Sequence, residues 1–276
     1  MFDECKVSHP PRLDLRSTPW LWPSVLSLDA PFVAVIWQLS VGKMSHQPIC
    51  IGASFVLFLS VWLTYAADRL LDVKKHRKKS LKTIRHQWTQ RNYVKLWQVW
   101  SFILLINLLI AFNFLEYWKL KQGFWLLGAC LLYTLLNQLL SQYWFPKEAL
   151  VGIIFSAGIL VFHNCSHLMD FFVISSTLFF LNCLIISLKE RDTDSMLNER
   201  SIATVKNAYL VLILVVCTLV NLFVYYKNSS LILMSILTIT CLGSLYLKRN
   251  QYDNETYRII ADICLLPAPI IILLLR

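Results

Sequence analysis

Charged residues are scarce in this chain, and that scarcity excludes a globular domain with a water-facing surface. Asp, Glu, Lys and Arg make up 15% of the 276 residues, against roughly 25% in soluble proteins. Hydrophobic residues reach 57%, and the mean hydropathy is +0.57. Other signatures are missing too. The eight cysteines (Cys5, Cys50, Cys130, Cys165, Cys183, Cys217, Cys241 and Cys264) show no CxxC spacing, and most lie inside apolar runs. This argues against a disulfide framework or zinc site and for small buried hydrophobes. Met1 to Trp20 has no basic stretch leading into a short apolar core and cleavage site, so no cleavable signal peptide is expected. There is no GxGxxG, P-loop, nucleophile elbow or HExxH motif, and no internal repeat.

What the chain does have is apolar runs of about 17–22 residues, the length that crosses a hydrocarbon core of ~30 Å. Nine are predicted, at 22–42, 49–66, 97–115, 123–141, 149–163, 170–188, 208–226, 230–247 and 259–275. The first contains Asp29 and Pro31; the fifth is short and carries Gly152 and Gly158. Together they leave no room for a second domain. The expectation is one all-α polytopic membrane bundle over 1–276, with cap loops around 67–95 and 189–207. With the N-terminus in the cytoplasm, 21 basic residues fall on the cytoplasmic side and 5 on the other. That asymmetry predicts N-in, C-out, in a bacterial inner (plasma) membrane. Trp97, Trp100, Trp118, Trp125, Tyr143 and Trp144 lie near span ends, as an interfacial aromatic belt would.

Two acid pairs, Asp68/Asp72 and Glu190/Asp194, follow the second and sixth spans, on the cytoplasmic side. Each is spaced i, i+4 and shares one helix face if the helix continues. Both sit at helix C-termini, where the macrodipole favours cations, and four converging carboxylates repel one another. A divalent cation removes that conflict, and Mg²⁺ takes such hard oxygen donors together with substrate phosphates. Arg69, Lys189, Arg191 and Arg200 beside the acids suit an anionic diphosphate. Against this stand ordinary interface ion pairs, Asp72 with Lys75 or His76 and Asp194 with Arg191.

Other features stay open between two readings. The basic segment 74–91 is a juxtamembrane helix drawn to anionic lipid or a basic lid over the carboxylates; with few aromatics (Trp88, Tyr93), nucleic acid is not an expected partner. Asp29 caps the first span ahead of Pro31 or faces the bundle as a functional acid. Asp262 caps the last span or faces a cavity. His163 and His167, with Asp170 nearby, read as filler in an outer loop rather than a metal site.

Thr64-Tyr65-Ala66-Ala67-Asp68-Arg69-Leu70-Leu71-Asp72 resembles the first aspartate-rich motif of the UbiA superfamily of intramembrane prenyltransferases. Glu190-Arg191-Asp192-Thr193-Asp194, followed by Arg200-Ser201, resembles the second. Thr64 stands where that family has Asn, Tyr65 where it has the first Asp, and Glu190 where it has Asp. The resemblance implies Mg²⁺ on Asp68, Asp72, Glu190 and Asp194, with these acids as the catalytic set and Arg69, Lys189, Arg191 and Arg200 on the diphosphate. It implies a polyprenyl diphosphate donor, a lipophilic and often aromatic acceptor, and membrane lipid around a laterally open cavity. Two other functions compete: a relative that kept the fold but serves as a lipid-binding or scaffold protein, which Thr64 and Tyr65 favour, and a small transporter. The transporter is weaker because the charges cluster at one membrane face.

Overall fold

The computed structural model describes residues 18–47, 50–75, 83–140, 145–164, 168–196, 202 and 229–275; of 192–196 and 229–230 the backbone alone is described. After a short 3-10 turn at Pro19–Leu21 come α1 Trp22–Val25, α2 Asp29–Met44, α3 Ile51–Lys75, α4 Ile84–Arg91, α5 Tyr93–Phe114 and α6 Tyr117–Leu140. Then follow α7 Lys147–Leu160, α8 Leu168–Met196, α9 Ser229–Leu247, α10 Asn254–Ile263 and α11 Pro267–Leu274. All of these elements are helical, and the protein is an integral membrane helical bundle. Five described segments are long and apolar enough to cross a membrane: α3, α5, α6, α8 and the stretch Asn254–Leu274 that α10 and α11 share. They become six if the bent pair Pro19–Val25 and Asp29–Met44 counts as a span, against the nine expected. The seventh predicted run, 208–226, lies outside the described residues.

Two helices outrun their apolar stretches. The run at 49–66 becomes α3, which continues to Lys75 because Ala66, Ala67, Leu70 and Leu71 favour helix and Leu70 and Val73 are buried. Lys74 and Lys75 in its last turn complement the dipole. In the same way α8 carries the chain through Glu190 to Met196. Asp68 and Asp72 therefore do share a face of one continuous helix, as their spacing predicts.

Two predicted spans are broken. The run at 22–42 is not one helix: the chain turns at 26–28, with Ser27 in the left-handed region (φ 59°), and Pro19–Val25 meets Asp29–Met44 at 77°. Asp29 then opens α2 as its first residue rather than its N-cap, which is Leu28. Pro31 falls in the first turn, where an amide N–H has no intrahelical partner to lose. The run at 259–275 breaks after α10, and Pro267 restarts the helix as the first residue of α11.

The core is packed from α2, α7, α8, α9, α10 and α11, around Trp37, Leu178, Leu231, Met234, Tyr257 and Ala268. Outside it, α5 leans on α3 and α6 on α7. Their outer faces carry Phe102, Leu105, Phe112, Trp125, Leu131 and Leu135, all exposed. In water such a surface would be untenable; against lipid it is the expected one.

The closest approach in the core is between α7 and α8. A Cβ on Gly152 would lie 2.8 Å from the backbone N of Phe180 and 2.8 Å from the carbonyl O of Ser176, whereas one on Gly158 would meet side-chain carbons at 3.8 Å. The short fifth run thus spends one glycine on direct helix–helix contact. Gly152→Ala should destabilise the bundle by about 1–3 kcal/mol because backbone, not a flexible side chain, must move. Gly158→Ala should be close to neutral. Unfolding of the detergent-solubilised protein by SDS titration measures both, and equal effects would contradict the packing argument.

Candidate active site

The broken first span creates the first half of the site. At the turn at 26–28 the last carbonyls of α1 meet side chains of α3, the carbonyl of Ser24 accepting as well from the backbone N of Ser27 (3.1 Å). Arg69 donates from Nη1 to the carbonyl of Val25 (2.6 Å) and from Nη2 to that of Ser24 (3.0 Å), while Trp62 Nε1 donates to that of Leu26 (2.9 Å). Arg69 is therefore a backbone clamp, with its planar fork on two carbonyls, and not a group turned toward the motif acids.

The second half is a charge cluster drawn from three helices far apart in sequence. Arg85, on α4, is 6% exposed. Its Nη2 donates to Glu190 of α8 at 3.4 Å (Oε1) and 3.5 Å (Oε2). Arg258 of α10 places Nη1 3.7 Å from Glu190 Oε2. One carboxylate thus answers two guanidinium groups. Arg85 Nη1 is buried and has no hydrogen-bond partner among the described residues. The start of α4 is held by the same helices: the backbone N of Ile84 donates to Glu255 Oε1 (3.0 Å), just ahead of Arg258, and Trp88 meets Trp22 edge to face at 6.2 Å. Residues 84–91 are thus docked against α1, α8 and α10, and the remainder of the basic loop, 76–82, lies outside the described residues.

Next to this cluster lies a carboxyl pair. Asp262, one turn beyond Arg258, accepts from Asn182 Nδ2 (2.9 Å) and lies in the field of Asp29. Asp29 also accepts from the backbone N of Ala30 (3.0 Å). The capping reading of Asp29 is not met, since Leu28 is the N-cap of α2 and Asp29 bonds within the first turn. Tyr65 sits in the field of Asp29, Asp262 and Arg258, with its ring edge to face on Phe155 at 6.5 Å.

The other expected residues divide. Asp68 and Asp72 look toward α6: Gln138 Nε2 donates to Asp72 Oδ1 (3.2 Å), and Tyr133 lies in the field of both acids. Lys189 turns away, donating to the carbonyl of Arg249 (2.8 Å) with its Nζ 6.0 Å above the Tyr257 ring. Arg191 lies on the exposed side. The side chain of Asp194, and Arg200, lie outside the described residues. Among the described residues no group of three or more His, Cys, Asp and Glu side chains is placed to hold a metal ion. Of the acids expected to hold a metal, Glu190 faces two arginines, and Asp68 and Asp72 lie on α3. His163 is buried at the end of α7, away from these acids. Sequence reading missed Arg85, Arg258 and Asn182. The available signal was Arg258 and Asp262, an i, i+4 pair of opposite charge where the final apolar run begins.

No family model and no curated protein sequence matches this chain. Its fold is similar to the solved structure of a digeranylgeranylglyceryl phosphate synthase in membranes, with a TM-score of 0.55 at 13% identity, over 92% of this chain and 97% of that one. At that identity the likeness is one of fold.

The clamp role of Arg69 has a direct consequence. Arg69→Ala should strip donors from two helix-end carbonyls in a membrane interior and lower stability by about 1–3 kcal/mol. Arg69→Lys should recover part of this, since one ammonium cannot reach both oxygens with a planar fork. SDS-titration unfolding of the purified variants reads the order; an unchanged Arg69→Ala would contradict it.

Proposed function

We propose that this protein is an integral-membrane prenyltransferase of the UbiA type, moving a polyprenyl group from its diphosphate to a lipophilic acceptor. The observation that carries this reading is Arg85: a buried guanidinium on α4, facing Arg258 across a single carboxylate, with Nη1 unpartnered among the described residues. Arg258 also lies in the field of Asp262 and Asp29, whereas the buried Nη1 of Arg85 is a donor left to be answered. A diphosphate answers it and matches the planar donor forks. The fold likeness to a membrane synthase supports the same reading.

In this scheme Arg85 and Arg258 bind and orient the diphosphate, and α4 covers it against water. Tyr65 and Phe155, ring edge to face at 6.5 Å, would form the apolar wall for the prenyl group. Mg²⁺ belongs to the proposal: Asp68 and Asp72, with Asp194, would hold it, and when bound it would neutralise charge on the departing diphosphate. The basic asymmetry of the sequence supports a cytoplasmic position for the lid and its site.

One observation favours a second reading, a prenyl-lipid-binding relative without turnover. Thr64, at the first motif position, donates its hydroxyl to the carbonyl of Ser60 (2.9 Å) within its own helix, and Tyr65 packs its ring on Phe155. Neither acts as a ligand. Turnover separates the readings; binding is common to both.

Binding is therefore the first test. Geranylgeranyl diphosphate should bind the purified protein in nanodiscs, more tightly with Mg²⁺ than with EDTA. Arg85→Ala and Arg258→Ala should each weaken it about tenfold to hundredfold, the worth of a charge-assisted hydrogen bond. Lys119→Ala, whose ammonium pairs with Glu116 at 3.2 Å outside the cluster, should leave it unchanged. Wild-type protein that binds no prenyl diphosphate would overturn both readings.

A further inference from the structure

The hairpin of α5 and α6 supplies little to the candidate site, and it is the least covered portion of the bundle. No residue of α6 is buried. Along its 22 residues α5 rises about 33 Å, so the turn at 115–116 lies at the membrane face opposite α4. Beside that turn Phe112 of α5 and Tyr117, Leu120, Lys121, Phe124 and Trp125 of α6 line a groove of about 610 Å³. Phe112 and Phe124 meet across the hairpin with ring centroids 6.4 Å apart. Tyr117 and Trp125 are 82% and 75% exposed, and neither the phenol O–H nor the indole N–H has a partner among the described residues. Both residue types favour the depth of lipid headgroups.

The cation in this groove is the informative residue. Basic residues are sparse on this face of the membrane, and the described ones beside Lys121 are already answered. Lys43 donates to the carbonyl of Leu273 (2.9 Å). Lys119 pairs with Glu116 at 3.2 Å, with its Nζ 5.2 Å from the centre of the Trp118 ring. Glu116 accepts from Trp118 Nε1 as well, so that carboxylate is spent. Lys121 is exposed and has no carboxylate partner among the described residues. The groove thus joins one unanswered positive charge and two free donors to an apolar wall on the lipid-facing side of the hairpin. Hydrocarbon alone covers the wall but not the ammonium. A second copy docked isologously would bring a second Lys121 to the same face. An anionic headgroup with acyl chains below it meets every one of these groups.

We propose that this groove is a binding site for one anionic phospholipid. Its phosphate lies on Lys121, with the Tyr117 and Trp125 donors beside it, and an acyl chain runs along Phe112, Leu120 and Phe124. The site does not depend on prenyl transfer, and α5 separates it from the arginine cluster by the thickness of the membrane.

The probes are phosphatidylglycerol and phosphatidylcholine carrying the same photoreactive acyl chain, each a minor component of phosphatidylcholine nanodiscs that hold the full chain. Peptide mass spectrometry reads how much of each probe attaches to residues 112–125. On wild type the phosphatidylglycerol probe should label this segment about fivefold more than the phosphatidylcholine probe, the worth of one basic residue at an anionic headgroup. Lys121→Gln should bring the ratio near one, and Lys121→Arg should keep it. Lys119→Gln should leave it unchanged, because that ammonium is held by Glu116. Equal labelling of wild type by the two probes, or a ratio that survives in Lys121→Gln, would overturn the proposal. So would a segment 112–125 that takes up neither probe in nanodiscs holding two copies, which would assign the groove to a second copy of the chain.

Discussion

The ion cluster of Arg85, Glu190 and Arg258 is the constraint around which the rest of this bundle is arranged. A guanidinium withdrawn from water costs several kcal/mol unless charge and hydrogen bonds answer it. Here the answering carboxylate sits on α8, while one arginine comes from α4 and the other from the last membrane segment. None of the three helices can shift by a turn without stranding a buried charge. The cluster thus fixes α4 over the bundle, α10 against α8, and the carboxyl pair one turn further along α10.

Breaking helices inside a membrane normally leaves backbone carbonyls without partners, which lipid cannot supply. This protein breaks two and covers each with a long donor from a neighbouring helix. Arg69 and Trp62 serve the carbonyls of Ser24, Val25 and Leu26. Trp37 Nε1 donates to the carbonyl of Leu265 (2.9 Å), and Lys43 donates to that of Leu273 (2.9 Å) near the chain's end. The breaks have a purpose in return. The first lets Asp29 enter the bundle at the head of α2, and the second ends α10 just past Asp262. A continuous helix through either point would carry the chain past the site instead of opening it.

The sequence made some of this legible and hid the rest for physical reasons. Run length and hydropathy locate the spans, because a bilayer imposes a length on every crossing segment. The i, i+4 spacing of Asp68 and Asp72 places them on one helix face, since helix periodicity is local. The break at 264–266 was hidden because it falls inside a run that stays apolar, and the one at 26–28 because Asp29 and Pro31 mark a helix start as readily as an interruption. Hidden most deeply was the cluster, whose Arg85 and Glu190 are 105 positions apart, and the Asn182–Asp262 contact, 80 apart. Adjacency in sequence pointed to Arg69 and Lys189 as anion ligands, but both are taken by backbone carbonyls. In a membrane interior the nearest unsatisfied acceptor captures a cation first, and here it was a freed carbonyl.

Tyr65 joins the polar and apolar halves of the molecule. A carboxylate at that position would add a further negative charge beside Asp29 and Asp262, against the single guanidinium of Arg258. A phenol adds none at neutral pH. Its ring instead begins an aromatic row: Tyr65 on Phe155 at 6.5 Å, Phe155 on Phe179 at 4.6 Å, and Phe179 on Trp37 at 4.9 Å. Trp37 ends the row with its indole N–H on the second helix break. The acidic charge sits on α2 and α10 rather than at this point of α3, where the Tyr65 ring opens the aromatic row instead.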